Sequence, residues 1–260
     1  MPGLIPMLES HAPGLGWLVG IFEGWSRHEP PVTRPWIFTC LPGKAVVCGE
    51  PAGTGWWVVV APRPEDGVEL CRGVPGLIRA RQLRGEVDRV GEVLREVPEL
   101  AERECSRREV VCLRRARQPG DDVTVPGFRP AQVRDVRCLM GFDLVPPGAD
   151  LVHAEGVLRT RILRGEVFVV SDTDRVMAMA ELLPAGRYRD IQRVATLPEF
   201  RRQGYGRRLM QGLIKVASTS GKDTSLCVEP FNGGALALYG GLGFEAWGRR
   251  IDVTFKDPAD

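Results

Sequence analysis

The sequence predicts an α+β fold in two parts. A mixed, mostly antiparallel sheet flanked by helices forms the C-terminal part, and a smaller α+β domain precedes it. Three observations predict this. Residues 190–212 (DIQRVATLPEFRRQGYGRRLMQG) read as a strand, a Pro-Glu turn and a basic, glycine-bearing turn opening into a helix. Residues 167–196 read as an antiparallel meander broken at Ser171-Asp172-Thr173-Asp174. Residues 36–61 hold short apolar runs divided by Pro-Gly and Gly-Thr-Gly turns, and a long helical pattern follows them.

The elements follow in order. Residues 1–34 are rich in Gly, Pro and Trp, with room for one short helix at 17–25. Strands are expected at 36–40, 44–49 and 56–61, and another at 68–71. From 77 to 105, Leu83, Val87, Val90, Leu94, Val97 and Ala101 step by four and three alternately, which marks one helical face. Arg and Glu fill the rest as a solvated surface; Gly85 and Gly91 weaken this helix, and Pro98 ends or kinks it. A strand at 110–113 leads to the polar, turn-forming run 117–122, the best linker, so a boundary is placed near residue 118. Residues 1–118 are then an N-terminal α+β domain and 119–260 the second domain.

In the second domain, 123–128 suits a first strand and 131–142 a helix with Val133, Val136 and Met140 on one side. A second helix is expected at 154–164. Strands follow at 167–170, 176–182 and 187–196. In the next helix Leu209, Met210, Leu213, Ile214 and Ala217 share a face opposite Arg207, Arg208, Gln211 and Lys215, and Gly221 is its stop. A strand at 224–228, a short helix at 234–241 and a last strand at 246–255 complete the chain. The N-terminal part also reads strands, long helix, strand, so a degenerate second copy of the same fold is one reading of it. It carries no Gly-x-Gly turn like that at 204–206.

Composition narrows the function. The 260 residues carry 35 basic and 33 acidic side chains, net +2, without the basic excess of a nucleic-acid binder. Seven cysteines form no C-x-x-C pair and three histidines are scattered, which argues against a metal site and for reduced thiols in a cytoplasmic protein. No apolar run has the length of a membrane span, and 14–22 lacks the basic start of a signal peptide. The Gly241–Ala246 stretch fits a loose Gly-x-Gly-x-x-Ala but follows a helix instead of a strand, so the dinucleotide-fold context is missing. Neither a P-loop nor a Gly-x-Ser-x-Gly elbow is present.

The junction at 201–206 favours an anion. The first turn of a helix has unpaired N–H groups and a partial positive charge. Gly204 and Gly206 remove side chains that would hold a phosphate away, and the neighbouring arginines add forked donors.

Two motifs in order sharpen this reading. Arg201-x-x-Gly204-x-Gly206 after a strand, and Asn232-x-x-Ala235-x-x-x-Tyr239-x-x-x-Gly243-Phe244 downstream, together resemble the acyl-CoA signature of the GCN5-related N-acetyltransferase (GNAT) superfamily. The resemblance runs over about 123–255 and does not extend to the N-terminal part. It implies acetyl-CoA as cosubstrate, no metal, and transfer of the acetyl group to an amine by direct attack in a ternary complex. It also implies that Val194, Ala195 and Thr196 offer main-chain groups to the pantetheine arm, with Val194 and Ala195 as oxyanion donors. Arg201, Arg202, Gln203, Gly204, Tyr205, Gly206 and Arg207 would wrap the pyrophosphate. The family often has Gly where Arg202 stands and Arg or Lys where Gln203 stands, swaps expected to be mild because backbone does most of the binding.

Tyr239 is the residue expected to face the cofactor sulfur; a phenol of reference pKa about 10 stays protonated and can serve the leaving thiolate. Asn232 either contacts the arm or caps the short helix. Arg193 is either an ion-pair partner at the core edge or a substrate-side residue. Glu181, with Asp190 behind it, is the candidate base for the amine, and a bound water is the alternative. Cys227 belongs to the core. The acceptor, a small-molecule or peptide amine, is not specified, and the N-terminal part would shape the acceptor cleft or a homodimer. A non-catalytic acyl-CoA sensor is the competing reading.

Overall fold

The computed structural model describes strands at 37–41, 45–49 and 56–60, and residues 81–142, 150–172 and 175–256. The helix expected at 17–25, the strand expected at 68–71 and the turn residues Thr173 and Asp174 lie outside the described residues.

In chain order the elements are β1 (Ile37–Leu41), β2 (Ala45–Gly49), β3 (Trp56–Val60), β4 (Gln82–Glu86), α1 (Val87–Glu96), α2 (Pro98–Ala101) and β5 (Glu104–Arg115). Next come β6 (Phe128–Pro130), a 3-10 turn (Val133–Asp135), α3 (Val136–Leu139), α4 (Leu151–Leu163), β7 (Val167–Asp172), β8 (Arg175–Ala185) and β9 (Tyr188–Thr196). A second 3-10 turn (Pro198–Phe200), α5 (Tyr205–Thr219), β10 (Asp223–Val228), α6 (Gly233–Gly240) and β11 (Glu245–Phe255) finish the order. They form two compact units that interleave in sequence. One holds Met1–Leu113, Cys227–Leu236 and Glu245–Asp260; the other holds Arg114–Leu226 and Ala237–Phe244.

In the first unit the strand order is β1-β2-β3-β4-β11-β5, antiparallel in its β1–β2, β2–β3 and β4–β11 pairs and parallel at β3–β4. The helix expected from residue 77 starts only at Val87. Leu83 lies instead in β4, fully buried and opposite Val253 of β11. A spacing of four from Leu83 to Val87 suits a helix, but sheet pairing takes the first of the two. Within α1 the face Val90, Val93, Leu94 is buried, and Pro98 ends it by occupying the first turn of α2, where its missing N–H costs nothing.

The second unit carries strands in the order β10-β9-β8-β7-β6, with β10 belonging to it as far as Leu226, parallel at β10–β9 and antiparallel elsewhere. The first strand is shorter than expected and starts at Phe128, because Pro126 and Gly127 form a turn; Gly127 has φ 75° and Val123 is exposed. The helix expected at 131–142 shrinks to the 3-10 turn and α3. Asp135 accepts from the Gln132 amide at 2.7 Å and from both Arg129 Nη groups, which ties this turn to β6. Asp150 caps α4 by accepting from the Val152 and His153 amides.

The expected apolar face of α5 is the buried one: Leu209, Met210, Leu213, Ile214 and Ala217. Gly212 brings this helix close to the sheet, since a Cβ there would meet the Phe128 ring at 2.3 Å. A separate apolar cluster packs Val136, Leu139, Leu158 and Ile162 with Val167, Val169, Val176 and Met179. The central strands are thus covered on both faces, which explains their near-continuous apolar runs. The run at 117–122, read as a linker, is anchored in this unit. Asp121 accepts from Arg115, from Ser218 Oγ at 2.6 Å and from the Gln118 amide at 2.8 Å.

Candidate active site

Strand β9 changes character along its length. Its parallel ladder with β10 ends at the Ile191–Leu226 pair, so residues 192–196 have no registered partner on that edge. On the other edge the register to β8 shifts: Met179 pairs Ala195, but Glu181 pairs Gln192. Arg193 and Val194 therefore share the place opposite Ala180, a β-bulge, and Arg193 adopts φ 52°.

Alternation fixes where the main chain points. The Leu197 amide donates to Met177 O, so Ala195 also faces β8 while Val194 and Thr196 face the open edge. This corrects the expectation for Ala195, whose amide belongs to the ladder. Val194 and Thr196 are the residues with outward N–H and C=O groups. The Thr196 carbonyl already accepts from Arg201 Nε at 3.2 Å.

The N-terminus of α5 lies just beyond. Gly204 is its N-cap, with φ 85°, and no side chain caps it. The first helical bond is Arg208 N to Gly204 O at 3.0 Å. Among the described residues the amides of Tyr205, Gly206 and Arg207 have no protein acceptor. The contrast with α4, capped by Asp150, is physical: there the amides are satisfied, here they stay open toward an anion.

Side chains frame this opening. Arg207 Nη2 donates to Gly241 O at 3.2 Å in the turn after α6. Gln203 folds back, its Nε2 donating to Glu199 O at 2.7 Å, so it braces the loop. Arg202 is exposed and holds φ 61°, a left-handed conformation that suits glycine. Phe200 packs edge-on to Tyr205 at 5.6 Å, with Arg175 over the Phe200 ring at 4.6 Å and Arg208 over the Tyr205 ring at 4.3 Å. A Cβ at Gly206 would lie 3.5 Å from Thr196 Oγ1 and 3.7 Å from Leu238, so this glycine faces the β9 end and α6.

Tyr239 is buried, 6% exposed, with its ring tilted on Phe244 at 5.9 Å. Burial pushes its phenol up to about 12. Asn232 is exposed, and its Oδ1 accepts from the Ala235 amide at 3.1 Å; capping, one of its two expected roles, is what it does.

Glu181, the expected base, is placed differently. It is fully buried; Arg161 holds its Oε2, and Arg193 Nη1 lies 3.5 Å from its Oε1. Both oxygens are engaged, so Glu181 anchors the bulge instead of meeting an amine. That also selects the ion-pair role for Arg193. Asp190 is buried and accepts from Ser225 Oγ at 2.8 Å and Gln192 Nε2 at 2.7 Å. Arg161 is a residue that sequence reading missed; an arginine on a helix carries no signal that it reaches β8.

The acetyltransferase (GNAT) family model matches residues 144–244. The C-terminal half of the chain belongs to the GNAT superfamily. Solved structures share the fold. A Drosophila protein is 12% identical at TM-score 0.74, with 97% of this chain and 94% of that one covered. A GNAT-family acetyltransferase from Colwellia psychrerythraea is 14% identical at TM-score 0.60, with the same coverage. A GCN5-related N-acetyltransferase from Sphaerobacter thermophilus is 16% identical at TM-score 0.55, covering 93% and 91%. No curated protein sequence matches the chain significantly. The GNAT half therefore places its glycine-bearing turn, its unregistered strand edge and Tyr239 in one compact unit. Among the described residues no cluster of His, Cys, Asp or Glu is arranged to hold a metal, and no helix is long and apolar enough to cross a membrane.

Proposed function

We propose that the GNAT half transfers an acyl group, acetyl in the first instance, from coenzyme A to an amine by direct attack. The observation that carries this is the set of open amides at Tyr205, Gly206 and Arg207, beside a strand edge with outward groups at Val194 and Thr196. The first set suits the diphosphate and the second the pantetheine amides and the thioester oxygen. The amine adds to the thioester carbon, the carbon–sulfur bond breaks, and the proton lost by the amine ends on the coenzyme thiol.

Tyr239 has a narrower role than full proton donation. With its phenol at about 12, transfer to a thiolate of conjugate-acid pKa about 8.5 is uphill by roughly 3–4 units, about 5 kcal/mol. It serves better by donating a hydrogen bond to the departing sulfur. With Glu181 and Asp190 both engaged, a bound water takes the amine proton. The same observation gives weight to a second reading, an acyl-CoA sensor without catalysis.

The test incubates the full chain with acetyl-CoA and a panel of small amines and peptide N-termini, following thiol release. Release with at least one acceptor, lowered at least tenfold in Tyr239→Phe with unchanged coenzyme A affinity, supports the enzyme reading. Tight binding with no release across the panel supports the sensor. Absence of coenzyme A binding sinks both.

A further inference from the structure

The first unit holds a pair of sulfurs to which the proposed acyl transfer gives no role. The Cys227 thiol on β10 donates to Cys112 Sγ on β5 at 3.5 Å. Cys112 is wholly buried and Cys227 half-buried. Arg250 Nη1 stands 3.7 Å from Cys227 Sγ, and Asp252 accepts from the same guanidinium at 3.0 and 3.2 Å. Burial works against the Arg250 charge, yet Cys227, Asp252 and Cys112 outweigh it and hold the guanidinium above its ordinary value.

These observations describe a reaction centre in miniature. A fixed cation beside a sulfur favours the thiolate, which is the attacking form. A second thiol with its sulfur 3.5 Å away is placed to resolve a mixed disulfide by closing to a bond of about 2.05 Å. Unequal burial sets the order, because a reagent can reach Cys227 but not Cys112.

We propose that Cys112 and Cys227 form a redox-active dithiol that closes to a disulfide by exchange with a low-molecular-weight disulfide. The Cys227 thiolate attacks one sulfur of the reagent RSSR, forming a protein–SR bond and releasing RS⁻. Cys112 then attacks Cys227 Sγ, forming the protein disulfide and expelling the second RS⁻. The two protons lost by the cysteines end on the two RSH products, so the protein is oxidised by two electrons and the reagent reduced by two. The link joins residues 115 positions apart, so oxidation raises resistance to denaturation.

The experiment equilibrates the full chain with graded ratios of reduced and oxidised glutathione, quenches with acid, alkylates, and maps peptides by mass spectrometry. The expected result is a Cys112–Cys227 linked peptide, two hydrogens lighter than the reduced pair and restored by dithiothreitol. Cys112→Ser should keep glutathione on Cys227, whereas Cys227→Ser should leave Cys112 unmodified. Arg250→Gln should slow iodoacetamide alkylation of Cys227 at neutral pH by about threefold or more, and Arg250→Lys should not. Failure of the parent protein to form this link at any ratio overturns the proposal, as does a link from either cysteine to a different one. The parent measurement needs no variant to fold.

Discussion

Arg193, a left-handed residue at φ 52°, places its guanidinium 3.5 Å from the wholly buried Glu181 carboxylate on the next strand. A non-glycine residue in that conformation costs about 1–2 kcal/mol, and the shared contact of Arg161 and Arg193 with Glu181 holds it in place. The same bulge leaves the Val194 amide on the open edge of β9.

Glu181→Gln should therefore act first on stability. Arg161 and Arg193 stay about a third exposed and keep water as a partner, so the loss should be about 1–2 kcal/mol, read as a lower urea midpoint. Turnover should fall with it as the bulge relaxes. Intact stability with loss of the acidic limb of the kcat/KM profile would return Glu181 to the role of base.

Arg202→Gly should stabilise the fold. Arg202 sits at φ 61° and is exposed, so glycine relieves about 1 kcal/mol of backbone strain, measurable by chemical denaturation. Coenzyme A affinity should drop by only a few-fold, because an exposed charge contributes little.

Gly206→Ala should separate folding from binding. Its methyl would make ordinary contacts with Thr196 and Leu238, and the helix gains about 1 kcal/mol of propensity. Calorimetry should nevertheless show coenzyme A affinity reduced at least tenfold, since the methyl fills space beside the open amides. An unchanged affinity would put the diphosphate elsewhere.

Asp121 should make the second unit acid-sensitive. Burial alone would raise its carboxyl, but hydrogen bonds from Arg115, Ser218 and the Gln118 amide and the Arg115 charge hold it at about 2. The unfolded chain binds a proton near pH 4 and the folded one only near pH 2. The contribution of about 2 kcal/mol is thus complete above pH 4 and lost as pH falls toward 2. Urea midpoints of Asp121→Asn should lie below the parent at pH 6 and converge with it near pH 2.

How much of this was legible varied by element. The α5 face and the strand–turn–helix order were written in period and glycine spacing, because a helix against a sheet must repeat near 3.6 residues. The helix read from 77 failed at Leu83, where pairing with Val253 outweighed a spacing that suited both periods. The strand read at 123–128 overran Pro126-Gly127, a turn signal that the apolar run obscured.

The sequence by itself determined the α+β class, the superfamily of the C-terminal half and the glycine-bearing turn, since all three rest on short-range patterns. Tertiary structure alone decided which groups are available for chemistry. It turned Ala195 into the ladder, enclosed Glu181 between Arg161 and Arg193, gave Asn232 to a cap and brought Cys112 to Cys227. The reason is that a side chain's role depends on neighbours far along the chain, and strand register, which a single inserted residue can shift, chooses those neighbours.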